Sequence, residues 1–360
     1  MSRLATATIH LGALRHNLAR VRELAAPARV LAVVKADAYG HGLERVARAL
    51  ADADAFGVAA IADGVRLRAA GFDQRIVVLS GPDSASDLDE LRRLDLDAVI
   101  HHDSQLQWLE SDRGRMPVRV WLKVDSGMHR LGFPSDRVAD VHARLGAMPA
   151  VAEGIVLMTH FAASDEFDNN LTADQIEVFK RATDTLAGPR SFSNSAGLLA
   201  WPDARGDWVR AGGLLYGLSV VEGRSAADFG FKPAMTLATR LVAVNHVNKG
   251  ERVGYGATWQ APEAMRLGIA AIGYGDGYPR SAVSGTPVLV NGQRAAIAGR
   301  VSMDLVTIDL RNAPSAEVGD RVVLWGPELP AETVASHAAT ISYELVCGMT
   351  RRVLLVEDDT

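Results

Sequence analysis

From Val30 to about Arg210, short apolar runs alternate with longer stretches in which apolar positions recur every three or four residues. The runs at residues 30–34, 56–60, 76–79, 98–100, 118–124, 154–159, 191–193 and 208–210 are too short for helices and read as strands buried on both faces. The stretches between them, such as residues 43–50 and 172–186, read as amphipathic helices packed over those strands. This alternation predicts an α/β fold, a (β/α)8 TIM barrel, with an open doubly wound sheet as the alternative. Past about residue 231 the helix signals fade. Residues 237–247, 267–272, 286–290, 305–310 and 321–325 are Val/Ile/Leu-rich runs bounded by glycines, and Asn291-Gly292 is a two-residue hairpin signal. With a short helix near 332–338 and a closing strand at 353–357, this second part is a mostly β C-terminal domain. The expected division is therefore 1–231 and 232–360, with Lys232-Pro233 at the seam.

Composition narrows the classes. The chain is 48% hydrophobic and 22% charged, which is ample for two cores. A net charge of -5 gives no electrostatic case for nucleic acid. No apolar run reaches the length of a membrane span or a secretory signal, so a cytoplasmic location is expected. The single cysteine, Cys347, excludes an intrachain disulfide framework and is expected as buried packing. His101-His102 lacks metal-ligand spacing, so no metal is expected. A GxGxxG fingerprint and a P-loop are both missing after the first strand.

In a barrel, reactive side chains belong just after the strands, on the C-terminal face. The first strand ends on Lys35 in Val30-Leu-Ala-Val-Val-Lys-Ala-Asp-Ala-Tyr-Gly-His-Gly42. That lysine either caps the strand in solvent or, desolvated, has the lowered pKa of an amine nucleophile or Schiff-base lysine. Lys123 and Asp125 end the fifth strand, His160 the sixth, Asn194 and Ser195 the seventh, and Arg210 the eighth. Asn194-Ser-Ala-Gly197 and Arg210-Ala-Gly-Gly213 combine small residues in the two loops where barrels commonly bind phosphate. A reactive lysine beside a phosphate cradle points to pyridoxal 5'-phosphate.

These motifs carry a resemblance. Val33-Val-Lys-Ala-Asp-Ala-Tyr-Gly-His-Gly42, Lys123-Val-Asp-Ser-Gly-Met-His-Arg-Leu-Gly132, Thr159-His-Phe161, Asn194-Ser195, Arg210-Ala-Gly212, Leu215-Tyr-Gly217, Val253-Gly-Tyr-Gly256, Gly273-Tyr-Gly-Asp-Gly-Tyr278, Gly299-Arg-Val-Ser-Met-Asp304 and Ile341-Ser-Tyr343 follow in the order of the alanine racemases. The chain resembles that family over its whole length. The resemblance implies interconversion of L- and D-alanine with pyridoxal 5'-phosphate, in a head-to-tail homodimer whose β domains complete the partner's sites. It implies Lys35 as cofactor lysine and one base, and the partner subunit's Tyr255 as the other. A phenol acts as a base only with suitable neighbours, here His160 and Arg210, with Arg210 at the pyridine nitrogen. Tyr39, Ser195, Gly212, Gly213 and Tyr343 are implied at the phosphate, with Asn194 also at the cofactor. Arg130 and Met303 are implied at the substrate and Asp304 beside Met303. Lys123 is expected to be carbamylated next to Arg130, and Asp165, Tyr274 and Arg280 are implied as entryway residues. Three other activities share parts of this pattern: a decarboxylase of the same architecture, a non-catalytic pyridoxal-phosphate protein built from a lone barrel, and a racemase of broader specificity.

Overall fold

Every run read as a strand in the first part becomes one. In the computed structural model, which describes residues 4–114 and 116–359, a first strand β1 (Thr6–His10) and a helix (Leu11–Ala25) precede β2 (Arg29–Val33), β3 (Ala55–Val58), β4 (Arg75–Val78), β5 (Leu96–Ile100) and β6 (Val120–Asp125). A two-residue spur β7 (Phe133–Pro134) pairs with β6, and β8 (Val156–Met158), β9 (Arg190–Ser191) and β10 (Trp208–Ala211) follow. The parallel order is β10-β2-β3-β4-β5-β6-β8-β9, a nearly closed eight-strand barrel. β-branched residues and backbones buried on both sides favour this arrangement.

The helices bury the stripes their periodicity foretold. Leu171–Thr183 turns Thr172, Gln175, Ile176, Phe179 and Thr183 inward, and Phe179 meets Phe192 edge-on at 4.6 Å. Leu11–Ala25, a helix outside the sequence expectation, buries Leu14, Leu18 and Val21. Its Asn17 donates to the carbonyls of Leu215 and Lys232 and accepts from the Lys232 amide, which ties the helix to the seam.

The second sheet is built on the long β11 (Met235–Val247). After the small hairpin of β12 (Arg252–Val253) and β13 (Trp259–Gln260) come β14 (Met265–Ala270), β15 (Pro287–Val290), β16 (Gln293–Ile297), β17 (Val306–Asp309), β18 (Arg321–Trp325) and β19 (Leu354–Asp358). The order β14-β17-β16-β15-β18-β11 closes because β14 also pairs with β11. Asn291 and Gly292, with φ 47 and 79, make the two-residue turn between β15 and β16, the geometry that suits hairpin twist.

β1 and the turn after β2 also lie outside the sequence expectation. β1 joins the second sheet, antiparallel to β11 and parallel to β19. After β2, the chain turns left-handed: Ala36, Asp37, Ala38 and Tyr39 have φ of 54, 52, 54 and 53, a conformation that costs each non-glycine residue ~1–2 kcal/mol. The surroundings hold it. The Asp37 carbonyl accepts from the Gly42 amide at 2.9 Å and its carboxylate from the Leu43 amide at 3.1 Å. Tyr216 stacks on Tyr39 at 4.6 Å. Gly40 lies so close to the Val346 carbonyl that any Cβ would collide with it.

Candidate active site

The C-terminal ends of the barrel strands open into a cleft of about 1320 Å³. Lys35, Tyr39, Lys123, Arg130, His160, Asp165, Asn194, Ser195, Arg210, Gly212, Gly213 and Tyr343 all line it. Residues far apart in sequence meet because each lies at or beyond the C-terminal end of a barrel strand, or on the helix Ser342–Cys347.

Lys35 stands where β2 gives way to the left-handed turn. Burial, then the charge of Arg130, lowers its pKa from the ordinary amine value, so the amine is poised for carbonyl chemistry. The same turn delivers Tyr39 to the cleft. There Gly212 passes so close that a Cβ would sit 2.6 Å from Tyr39 Oη, and one on Gly213 would run into Tyr343 Oη. The Gly212 amide donates to Ser195 Oγ at 2.9 Å. Burial raises the pKa of both Tyr39 and Tyr343, which keeps their hydroxyls protonated as donors. Two phenols, a serine hydroxyl and glycine backbone thus converge with no side chain between them. This cradle fits the phosphate of pyridoxal 5'-phosphate, with neutral donors suited to an anion.

A cluster of cations occupies the barrel mouth. Arg210, 4% exposed, donates from Nη1 to Ser191 O and Oγ, and from Nη2 to Thr159 O at 2.6 Å and Phe192 O at 3.1 Å. Nη2 also lies 3.4 Å from His160 Nδ1. Among the described residues no hydrogen-bond partner falls to Nε, which leaves that edge for a ring nitrogen. The two Nη2 protons go to the Thr159 and Phe192 carbonyls; because arginine is donor-only, its positive edge beside Nδ1 favours the imidazole tautomer with the proton on Nε2. Burial, with Arg210 and Lys123 next in order, pushes the imidazole pKa well below its usual value, and the ring is neutral. Lys123 is pushed down to about 7 by burial, Arg210 and Arg130. Asn194 Oδ1 accepts from the Gly197 amide and Ser164 Oγ, which fixes the orientation of its amide.

Tyr255, Met303, Asp304, Tyr274 and Arg280 do not line this cleft. They lie on the second sheet's connections. Tyr255 is 71% exposed and Met303 52%. The segments carrying three of them touch: the Tyr274 amide donates to Ser302 O at 3.0 Å and the Gly275 amide to Met303 O at 2.9 Å, while Asp304 pairs with Arg352. Gly256, beside Tyr255, packs against Arg300.

The expectation for Cys347 fails. It is exposed and lines the cleft, because its helix spends Leu345 and Val346 on the core. Sequence reasoning also missed Gln175, a fully buried amide on an apolar helix stripe. The polar residue at a core-facing position was the available signal.

Residues 9–220 match the family model described as alanine racemase, N-terminal domain, and residues 234–356 the alanine racemase, C-terminal domain. An alanine racemase of Nitrosococcus oceani is 51% identical over 96% of this chain and 97% of its own; one of Vibrio cholerae is 50% identical over 97% of each. The crystal structure of a biosynthetic alanine racemase from Pseudomonas aeruginosa superposes with a TM-score of 0.96 at 44% identity, over 99% of this chain and all of that one. Among the described residues no helix is long and apolar enough to cross a membrane.

Proposed function

This chain belongs to the alanine racemase family, pyridoxal 5'-phosphate enzymes that interconvert L- and D-alanine, and from that premise we propose a two-base reaction carried by Lys35 and the Tyr255 of a second copy. The observation that carries the proposal is the convergence of a desolvated lysine, a side-chain-free donor cradle and the Arg210–His160 pair in one cleft. When bound, pyridoxal 5'-phosphate supplies the electron sink that acidifies the α-proton of alanine.

The chain's own residues do the rest. Lys35 Nζ would hold the cofactor's carbonyl carbon; Tyr39, Ser195, Tyr343 and the Gly212 and Gly213 amides would hold its phosphate; Arg210 would face its ring nitrogen, with Asn194 alongside. The Arg210 pKa is lowered to about 10 by burial and Arg130, which still leaves it charged at neutral pH, so it does not hand a full proton to that nitrogen. Inversion needs a proton to leave one face of the α-carbon and another to arrive on the opposite face. Lys35 serves one face. Tyr255 serves the other, with the His160 Nε2–H donating to its oxygen and Arg210 behind the imidazole. Arg130 holds the substrate carboxylate, and Met303 bounds the pocket. Asp304 stands beside Met303, while Asp165, Tyr274 and Arg280 line the approach.

Dimerisation is supported by the surface itself. Tyr255, Tyr274, Met303 and Leu305 are all exposed around the adjoining segments of the second sheet, and grouped exposed apolar residues mark interfaces. Residues 1–231, together with the chain's own Tyr343, would then provide one part of each site, and the connections of the 232–360 unit that carry Tyr255 and Met303 in the other copy the remainder. A decarboxylase is disfavoured because Arg210, not a carboxylate, stands where the ring nitrogen would lie. The β part of the chain speaks equally against a lone non-catalytic barrel.

Incubation with L-alanine in deuterated water tests the reading. Appearance of D-alanine with deuterium at the α-carbon is expected, whereas carbon dioxide release or no exchange sinks it. After borohydride reduction, the labelled peptide should contain Lys35 and no other lysine.

Lys123 provides a separate prediction. Its amine, held near pH 7, is largely neutral above that pH and can add to carbon dioxide, releasing one proton. A cation beside Arg130 thereby becomes an anion that orients it. With 13C-bicarbonate, a carbamate carbon signal should grow as pH rises through about 7 and vanish in Lys123→Met. A fully active enzyme with no such signal at pH 8 would disprove the modification.

A further inference from the structure

We propose that Gln175 is a positioning residue for racemisation: its carboxamide fixes the backbone that presents His160 and couples it to the loop that carries Arg130. This rests on the role proposed above for His160 behind the Tyr255 base.

Gln175 projects from helix Leu171–Thr183 and is 0% exposed. Oε1 accepts from the Ala162 amide at 2.9 Å. Nε2 donates to the His160 carbonyl at 3.1 Å and to Ser126 Oγ at 3.4 Å. Both ends of one amide therefore grip the backbone just after His160, from its carbonyl to the Ala162 amide. From Ser126 the network runs on: its Oγ lies 2.6 Å from Thr159 Oγ1, which donates to the Val124 carbonyl at 3.1 Å.

The donor directions are determined by stoichiometry. The Thr159 hydroxyl proton is committed to Val124, so the Ser126 hydroxyl donates to Thr159 and accepts from Gln175. Each member is satisfied and the chain has one direction. It spans the gap between the end of β6, where Lys123 lies, and the His160 segment. Arg210 grips the adjoining Thr159 carbonyl from the other side at 2.6 Å. His160 is thus held by its own backbone between a buried amide and the guanidinium it faces.

Core packing alone does not call for an amide here. A leucine would fill most of the volume without the desolvation cost of a buried carboxamide. What it could not supply is the two-sided grip.

The test uses the full-length holoenzyme as Gln175→Leu, Gln175→Glu and, for reference, His160→Asn. Primary isotope effects are measured separately with α-deuterated L- and D-alanine, and amide hydrogen exchange is followed at Ala162. Gln175→Leu is expected to lower kcat by ~10–100-fold, the scale of a misplaced catalytic group, and to speed Ala162 exchange. Its isotope effect should rise for one enantiomer only, the same one as in His160→Asn, because only one of the two bases is displaced. Gln175→Glu keeps an acceptor for Ala162 but, when ionised, has no proton for His160 or Ser126; it should show the same one-sided change, and it decides the matter if the leucine variant does not fold. Isotope effects that stay at wild-type values in both Gln175 variants while His160→Asn shifts one of them would overturn this inference alone. A His160→Asn enzyme with both effects unchanged would overturn the two-base reading on which it rests.

Discussion

Lys35→Ala is expected to lose racemase activity by more than ~10⁴-fold, beyond the ~10²–10⁴-fold that a positioned base contributes alone, while the apoprotein stays folded. The side chain combines two tasks, holding the cofactor and moving a proton, so one substitution removes both. Stability should respond in the opposite sense. Burial and Arg130 hold the Lys35 pKa below its ordinary 10.5, so the folded apoprotein binds this proton more weakly than the unfolded chain. Keeping this amine in its site therefore costs stability at neutral pH, and the penalty falls away as pH rises to the unfolded value. The urea midpoint of the alanine variant at pH 7 should match or exceed wild type, and any advantage should shrink as pH rises towards 10.5 and be gone above it. A midpoint that falls together with activity would make Lys35 a structural residue instead.

Asp97→Ala should do the reverse, costing about 3 kcal/mol of stability, the lower end for a broken buried ion pair, while kcat/KM of the folded enzyme is retained. Asp97 lies near the start of β5, at the floor of the barrel, and is 0% exposed. Its carboxylate takes Arg75, Arg119 Nε at 2.6 Å and Trp121 Nε1 at 2.8 Å. Above this floor Trp121 and Trp208 pack at 5.4 Å, with Arg29 4.2 Å over Trp208. Removing the carboxylate leaves two guanidiniums crowded together and a buried indole N–H unpaired. The arginines reach solvent at their edges, which keeps the loss from being larger. Barrel floors serve stability and barrel mouths chemistry, and urea titration beside steady-state kinetics separates the two. An unchanged denaturation midpoint would show that the floor network contributes nothing.

What could be read from sequence follows from what each signal depends on. The barrel strands were legible because apolar runs such as Val30 to Val34 leave little choice of conformation. The glycines at 212 and 213 were legible because absent side chains announce a close approach. The left-handed turn at Ala36 to Tyr39 was not, since no glycine marks it and its geometry is imposed by Asp37, Tyr216 and the helix beyond Gly40. β1 escaped notice for a related reason: Ala7 and Ile9 alternate with half-buried Thr8 and His10 over a span too short to distinguish from the start of the helix after it. Gln175 was hidden because its partners, Ser126, His160 and Ala162, come from other loops, and periodicity says nothing of such partners.

β1 also bears on how the molecule comes into being. His10 reaches Asp358 across 348 residues of sequence, and its strand lies in parallel register with the last one. During synthesis, the barrel strands emerge with their neighbours close behind them and can pair as they appear. Thr6–His10 must wait for nearly the whole chain before its ladder is filled on both sides, a contact of the highest order available here. The second sheet is therefore finished last. A ribosome stalled after the seam would display a barrel with an unpaired strand edge at its N-terminus, the kind of edge that recruits other chains.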